Sequence, residues 1–231
     1  MTNAVTHEEQ SLYRVRALSF AYRLGALQVA ALRGVDLDIE RGDFVCFSGP
    51  SGSGKTTLLN LLGLIEPVQA GSIALGGTSL QSLSERERNR IRRYRIGFVF
   101  QTFQLFPVLS AAENVEYFLT RQRLARDTRR ERVRAALEAV GIWEQRAKRP
   151  SEMSGGQRQR VAVARALAKQ PDVIIADEPT AHLDQQAGKG VIEVFSRLGR
   201  ERGVTLIMAS HDPMVQGFAR HSIRLVDGRI C

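Results

Sequence analysis

One octapeptide restricts what this chain can fold into more than any other stretch. Gly49-Pro50-Ser51-Gly52-Ser53-Gly54-Lys55-Thr56 satisfies the pattern G-x-x-x-x-G-K-[ST], and a second threonine, Thr57, follows. The apolar run Phe44–Ser48 leads into it, and Thr56–Leu62 (TTLLNLL) leads away to Gly63. A buried strand, a glycine turn and a helix are expected in that order. Glycines let the backbone wrap a phosphate chain closely and turn several N–H groups toward it. The helix start adds the positive end of its dipole. Lys55 would neutralise the β- and γ-phosphates, and the Thr56 hydroxyl would ligate Mg²⁺. The expected ligand is therefore ATP with Mg²⁺, and its hydrolysis is expected as well.

Two further runs carry chemistry. Val173–Ala176 is a strand-sized apolar run, and the carboxylates Asp177 and Glu178 follow it directly. Ligands of open α/β sheets bind at that end of the strands. There Asp177 would hold Mg²⁺ through water, and Glu178 would polarise the attacking water as general base. The second run is Ser154-Gly155-Gly156-Gln157, a hydroxyl and two glycines ahead of a helical pattern. It reads either as an ordinary helix start or as a second anion cradle. One nucleotide does not need two cradles from one chain, but a dimer that shares each nucleotide would use both.

The rest of the chain alternates between strand and helix signals. Val35, Leu37 and Ile39 face one way and Asp36, Asp38 and Glu40 the other, as in a half-buried antiparallel strand. Ile73–Leu75 and Ile96–Phe100 read as strands. Ser84 with Glu87 and Ser110 with Glu113 form capping boxes. The first opens a basic helix to about Arg95, the second a helix to about Leu124. Val133, Ala136, Leu137 and Val140 mark a further helix stopped by Gly141. Phe103–Arg149 has no strand signal and is expected to be a helical lobe inserted into an α/β core. Beyond it come a helix over 155–169, a helix over 185–200, a strand over 204–209 and a short helix near Pro213. A hairpin is expected at Ser222–Ile230, turned at Asp227-Gly228. The alternation argues for a mostly parallel sheet.

Composition narrows the partners. The 231 residues are 43% hydrophobic and 25% charged, values that support one large domain with a sizeable core. No apolar run is long enough to span a bilayer, and the polar start MTNAVTHEEQ has no signal-peptide core. A cytoplasmic chain is expected. Two cysteines, Cys46 and Cys231, suggest reduced thiols. The net charge of +9 is concentrated in RERNRIRRYR (86–95) and RQRLARDTRRERVR (121–134). These runs read as solvated helix faces, or as contacts with anionic headgroups or an acidic partner. Without interleaved aromatics or a recognition motif, no nucleic-acid partner is expected.

Taken together, GPSGSGKT, Gln101, MSGGQ at 153–157, Asp177-Glu178, AHLD at 181–184 and His211 resemble, in kind and order, the ATP-binding subunits of ABC transporters. The resemblance runs from about Val15 to Ile230. It implies a P-loop NTPase (RecA-like) α/β core with an N-terminal antiparallel β subdomain and an inserted α-helical lobe. The chain would be a single ATPase domain over 1–231, with the lobe at about 103–157. It also implies residue roles. Tyr22 is similar to the aromatic that stacks on adenine, although Phe20 and Tyr13 lie close in sequence. Gln101 would contact Mg²⁺ and the attacking water. Ser154–Gln157 would hold the γ-phosphate of ATP on the opposite subunit. Asp184 would lie in the dimer contact, and His211 would contact the γ-phosphate. Met153 replaces a usual leucine, a near-isosteric change. His182 stands where a small or polar residue is usual, either shaping the dimer contact or without effect.

The stretch RIGFVFQTFQLFPVLSAAENV (95–115) is similar to the lipoprotein-release and macrolide-export branch. That likeness implies a homodimer on the inner face of the membrane. Its membrane permease would have few spans and a large extracytoplasmic domain. The work would be export or release of a lipoprotein, peptide or hydrophobic compound. An ATPase regulating a cell-division or cell-wall complex is the alternative. A soluble ATPase acting on DNA or ribosomes would carry coiled coils, zinc modules or tandem ATPase units, which this sequence lacks. Phe103, Leu105, Phe106 and Val108 read either as lobe core or as a groove for the permease.

Overall fold

The computed structural model describes residues 11–231, so the polar N-terminal decapeptide lies outside the described residues. Strands β1 (Ser11–Leu24), β2 (Leu27–Glu40) and β3 (Phe44–Ser48) precede helix α1 (Lys55–Leu62). Then come β4 (Ala70–Leu75), β5 (Thr78–Ser79), α2 (Glu85–Tyr94) and β6 (Ile96–Val99). Helices α3 (Ala111–Glu116), α4 (Arg126–Ala139) and α5 (Gly155–Leu167) follow. The remainder is β7 (Val173–Asp177), α6 (Gln185–Arg202), β8 (Thr205–Ala209), α7 (Pro213–Phe218), β9 (His221–Val226) and β10 (Arg229–Ile230). These elements form two compact units. One ends at Asn89 and resumes over Ile207–Cys231; the other is Arg90–Leu206.

The first unit holds an antiparallel sheet of order β2-β1-β4-β5 and the strand row β10-β9-β3-β8. In β2 the alternation places Val35, Leu37 and Ile39 inside and Asp36, Asp38 and Glu40 outside, as the pattern requires. Strand β1 carries no such legible alternation. Its register shifts between Val15 and Leu18, where Ala17 takes a φ of 48°. The bulge moves the inward set from Tyr13 and Val15 to Leu18 and Phe20, all buried. Tyr13 is wholly buried, and its hydroxyl donates to the Leu62 carbonyl at 2.8 Å, one of the open carbonyls that end α1. Strand β3 runs parallel to β9 with Cys46 opposite Ser222. Neither cysteine is in a disulfide; Cys46 lies in the core and Cys231 at the surface. The hairpin joining β9 to β10 turns at Asp227 (φ 47°) and Gly228 (φ 78°), the double left-handed turn that Asp-Gly favours.

In the second unit β6 and β7 pair in parallel, Ile96 opposite Val173. Helix α5 packs on β6 so closely that a Cβ on Gly97 would stand 3.0 Å from the Ala166 side chain. Helices α3, α4 and α5 form the helical lobe, with Val133, Ala136 and Leu137 of α4 facing inward. The capping box at Ser110 and Glu113 is present. The helix it opens, however, stops at Glu116 rather than near Leu124. A separate 3-10 turn covers Leu119–Gln122 and ends at Arg123 with a φ of 56°. Tertiary anchoring sets that break. Leu119 is fully buried, and the buried Gln122 side chain donates to the Arg93 carbonyl at 2.9 Å. Asn114, also fully buried, knits the preceding loop: it accepts from the Phe106 N–H at 2.7 Å and donates to the carbonyls of Phe106, Leu109 and Ser110.

Two cations of the α5 segment serve the lobe's backbone. Arg165 is 5% exposed and donates to the carbonyls of Phe103, at 2.9 Å, and Gln104. Lys169 donates to the carbonyls of Arg92, at 2.6 Å, and Ile96. The Arg92 carbonyl belongs to the last turn of α2, where a cation also meets the negative end of the helix dipole. Burial lowers the Arg165 pKa to about 10. Burial, aided by the Arg165 charge, lowers that of Lys169 to about 8.

In the unfolded chain Lys169 returns to an ordinary lysine pKa, about 10.4. Between about pH 8 and that value the unfolded chain still holds a proton that the folded chain has released. The Lys169 contribution to stability therefore rises with pH across this window. Urea unfolding of the wild type and of Lys169→Met at pH 7 and pH 10 checks this. The stability difference should move in favour of the wild type by about 1–3 kcal/mol; a pH-independent difference refutes it.

Candidate active site

The glycine loop lies wholly in the first unit. Gly49, Gly52 and Gly54 have φ values of 139°, 78° and 102°, a region closed to most side chains. The close approach is as demanding as the torsions. A Cβ on Gly49 would fall 2.0 Å from the Leu225 carbonyl oxygen, and one on Gly54 would fall 2.4 Å from that of Ala31. The C-terminal hairpin also bonds the loop, Gly228 donating to the Ser53 carbonyl at 3.0 Å. Helix α1 starts at Gly54 without a side-chain cap and with no acidic residue in its first turn. Its N-terminal N–H groups and dipole are thus left for an anion. Lys55 Nζ donates to the carbonyls of Gly49 and Pro50 at 2.8 and 2.9 Å, which holds its charge over the loop. The Ser53 hydroxyl is buried inside the loop with no hydrogen-bond partner. An orphaned hydroxyl, a lysine and an uncapped helix start fit a phosphate chain.

Tyr22 and His211 also belong to this unit. The Tyr22 hydroxyl lies 3.3 Å from Thr57 Oγ1, and its ring meets Phe20 edge-on at 5.0 Å. Tyr22 therefore stands at the start of α1, while Tyr13 is spent in the core. His211 follows β8 and is exposed. Its neighbour Ser210 donates to the Phe47 carbonyl at 3.0 Å, which ties this turn to the strand that feeds the loop. Asp212 then caps α7.

The second unit holds the remaining candidates. Strand β7 delivers Asp177 at its end, and Glu178 follows with a φ of 44°. A non-glycine residue in the left-handed region is costly and persists where the surroundings impose it, often at functional sites. The turn after it is closed by Ala181 N–H to Glu178 O at 3.2 Å and Leu183 N–H to Thr180 O at 3.0 Å. Asp184 accepts from Ala187 N–H at 2.9 Å and so caps α6. Gln101, just past β6, is exposed, and its carbonyl lies 3.1 Å from His182 Nδ1.

Ser154–Gln157 is a capping box as well as a glycine-rich helix start. Ser154 Oγ accepts from Gln157 N–H at 3.3 Å, and Gln157 Oε1 accepts from Ser154 N–H at 3.1 Å. Its glycines face the turn after Glu178. A Cβ on Gly155 would lie 3.2 Å from Leu183 Cδ2, and one on Gly156 would lie 3.0 Å from Ala187 Cβ. Beneath them the fully buried Gln159 donates to the Pro179 carbonyl at 2.7 Å. Sequence reasoning passed over Gln159, Arg165 and Asn114. Nothing in a single sequence separates Gln159 or Arg165 from the other polar and basic residues of the same helix.

The model of the family described as ABC transporter matches residues 32–181. The chain is 38% identical to the lipoprotein-releasing system ATP-binding protein of Bordetella avium, over 96% of both sequences. It is 39% identical to an uncharacterized ABC transporter ATP-binding protein of Methanocaldococcus jannaschii, over 95% of both. It is 43% identical to the macrolide export ATP-binding/permease protein of Syntrophobacter fumaroxidans, over 95% of this chain but only 31% of that protein. Among solved structures, a dimeric ATP-binding cassette in a post-hydrolysis state with ADP and Pi superposes with a TM-score of 0.86 and 37% identity. That match covers 94% of this chain and 96% of the other. These matches run over most of the chain, and it belongs to the ABC transporter family as an ATP-binding, ATP-hydrolysing cassette.

Proposed function

We propose that this cassette drives a membrane partner to export or release a lipoprotein, peptide or hydrophobic compound, with ATP closing a dimer of cassettes and hydrolysis opening it. The observation that carries this reading is the uncapped start of α1 behind the glycine loop, with Lys55 held over it. The near full-length likeness to a lipoprotein-releasing ATP-binding protein supports the transport role. The dimeric post-hydrolysis cassette supports the cycle.

In this reading the N–H groups of Gly49–Thr57 and the Lys55 ammonium bind the phosphates, and Tyr22 meets the adenine. Glu178 takes the proton of the attacking water, and Gln101 and His211 orient that water and the γ-phosphate. Thr56, Asp177 and Gln101 offer only oxygen donors, the set that suits a hard cation such as Mg²⁺. When bound, Mg²⁺ neutralises charge on the phosphate oxygens. Ser154–Gln157 serve the nucleotide of the opposite subunit, and Asp184 contributes to the dimer contact besides capping α6. The two compact units act as one ATPase domain over 1–231, with the helical lobe at about 103–157.

The partner surface is aromatic. Phe106, Val108, Tyr117 and Phe118 are exposed at 36%, 73%, 38% and 40%. Phe106 and Tyr117 lie 4.5 Å apart, and Tyr117 and Phe118 lie 5.2 Å apart. Exposed apolar side chains gathered in this way mark an interaction site. We read it as the seat of a permease of few spans with a large extracytoplasmic domain. Among the described residues no helix is long and apolar enough to cross a membrane. The chain would therefore attach peripherally to the inner face through that seat, with no nucleic-acid partner.

Three variants test the reading. Lys55→Ala should weaken ATP binding at least about tenfold, because a charged hydrogen-bonding partner of the phosphates is lost; unchanged affinity by calorimetry refutes the loop assignment. Glu178→Gln should keep ATP affinity and lower kcat by about 10²-fold or more, with dimers accumulating in ATP by gel filtration. Wild-type turnover in that variant removes Glu178 as the base. Phe106→Ser should leave ATP binding intact and reduce recovery of the membrane partner from solubilised membranes. Undiminished co-purification removes the aromatic seat.

A further inference from the structure

We infer that His182 is a positioning residue for ATP hydrolysis, acting on Gln101 through the main chain; this deepens the reading above and rests on the role proposed there for Gln101. His182 Nδ1 lies 3.1 Å from the Gln101 carbonyl oxygen. A carbonyl only accepts, so Nδ1 carries the hydrogen in this contact.

The placement gives the bond its meaning. His182 sits in the turn that begins at Glu178, the residue with a φ of 44°. Gln101 begins the segment in which Phe103 and Gln104 take φ values of 61° and 47°. Three carbonyls of that segment are gripped from outside it: Gln101 by His182, and Phe103 and Gln104 by Arg165. The turn that carries His182 is itself anchored. Leu183 packs toward Gly155, and Gln159 donates to the Pro179 carbonyl. The strand pair β6–β7 brings the two loops side by side, and the bond from His182 ties the loop of Glu178 to the loop of Gln101 beyond the ends of those strands. Both ends of the bond are exposed. Water would satisfy the Gln101 carbonyl in its absence, so the bond adds little to stability and acts mainly as a geometric constraint. Misplacing a reacting group by a fraction of an ångström slows chemistry without weakening ground-state binding.

The test measures Mg-ATP turnover by the purified full chain. Asparagine places an amide N–H near the position of Nδ1, and glutamine places it near that of Nε2. His182→Ala and His182→Gln should each lower kcat about tenfold, with KM for ATP and the melting temperature unchanged. His182→Asn should restore most of the loss. In a Gln101→Ala background, His182→Ala should cost nothing further, because its effect passes through Gln101. If Gln101→Ala is slow while His182→Ala turns over normally, this inference fails and the role of Gln101 stands. Glutamine and asparagine behaving alike, or additive losses in the double variant, also overturn it. Normal turnover in Gln101→Ala overturns the role of Gln101 and this inference with it.

Discussion

The contact between Gly49 and the Leu225 carbonyl is the constraint on which the phosphate loop depends. At this approach no side chain fits, and the oxygen belongs to a strand near the C-terminus. The loop's shape is therefore held by backbone packed against it as well as by its own glycines. Gly228, in the hairpin turn that follows, closes the same arrangement by bonding Ser53 and by lying against Ala31 and Leu32. Three distant stretches of chain must be in place before the loop takes its form. The entropy of bringing them together is met by strand pairing and by the burial of β3 and of the inner faces of β2 and β9 rather than by the loop.

The helical lobe solves a related problem with cations. Arg165 and Lys169 sit where apolar side chains are usual, and each donates to two main-chain carbonyls instead of pairing with a carboxylate. Carbonyls at a helix end and in a left-handed segment have no neighbour to bond within their own element. Long side chains from α5 and from the residues just after it reach them. The cost is visible in the depressed pKa values of both groups. Asn114 and Gln122 do the same work without charge.

What could be read from the residues was local. The glycine loop, the alternation in β2, the capping boxes and the Asp-Gly hairpin each rest on a rule spanning a few positions, and each is where that rule places it. Strand β1 escaped because a bulge at Ala17 breaks the period of two on which a strand is recognised. The helix after Ser110 is shorter than its local pattern implies because the burial of Gln122 against Arg93 is a long-range event. The candidate site divides in the same way. Asp177, Glu178 and Ser154–Gln157 were legible as runs, whereas the tie from His182 to Gln101 joins residues far apart in the chain that no periodicity connects.

The capping box of Ser154 and Gln157 has a kinetic meaning of its own. Ser154 and Gln157 satisfy each other, so the first turn of α5 is closed by its own residues. Ser154 uses a lone pair in that bond and keeps its proton to give. In the role proposed for Ser154–Gln157, a phosphate of the opposite subunit would meet a preformed, partly unspent donor surface. Association there would not wait for local folding, and the energy of each new bond would go into holding the phosphate rather than into building the helix.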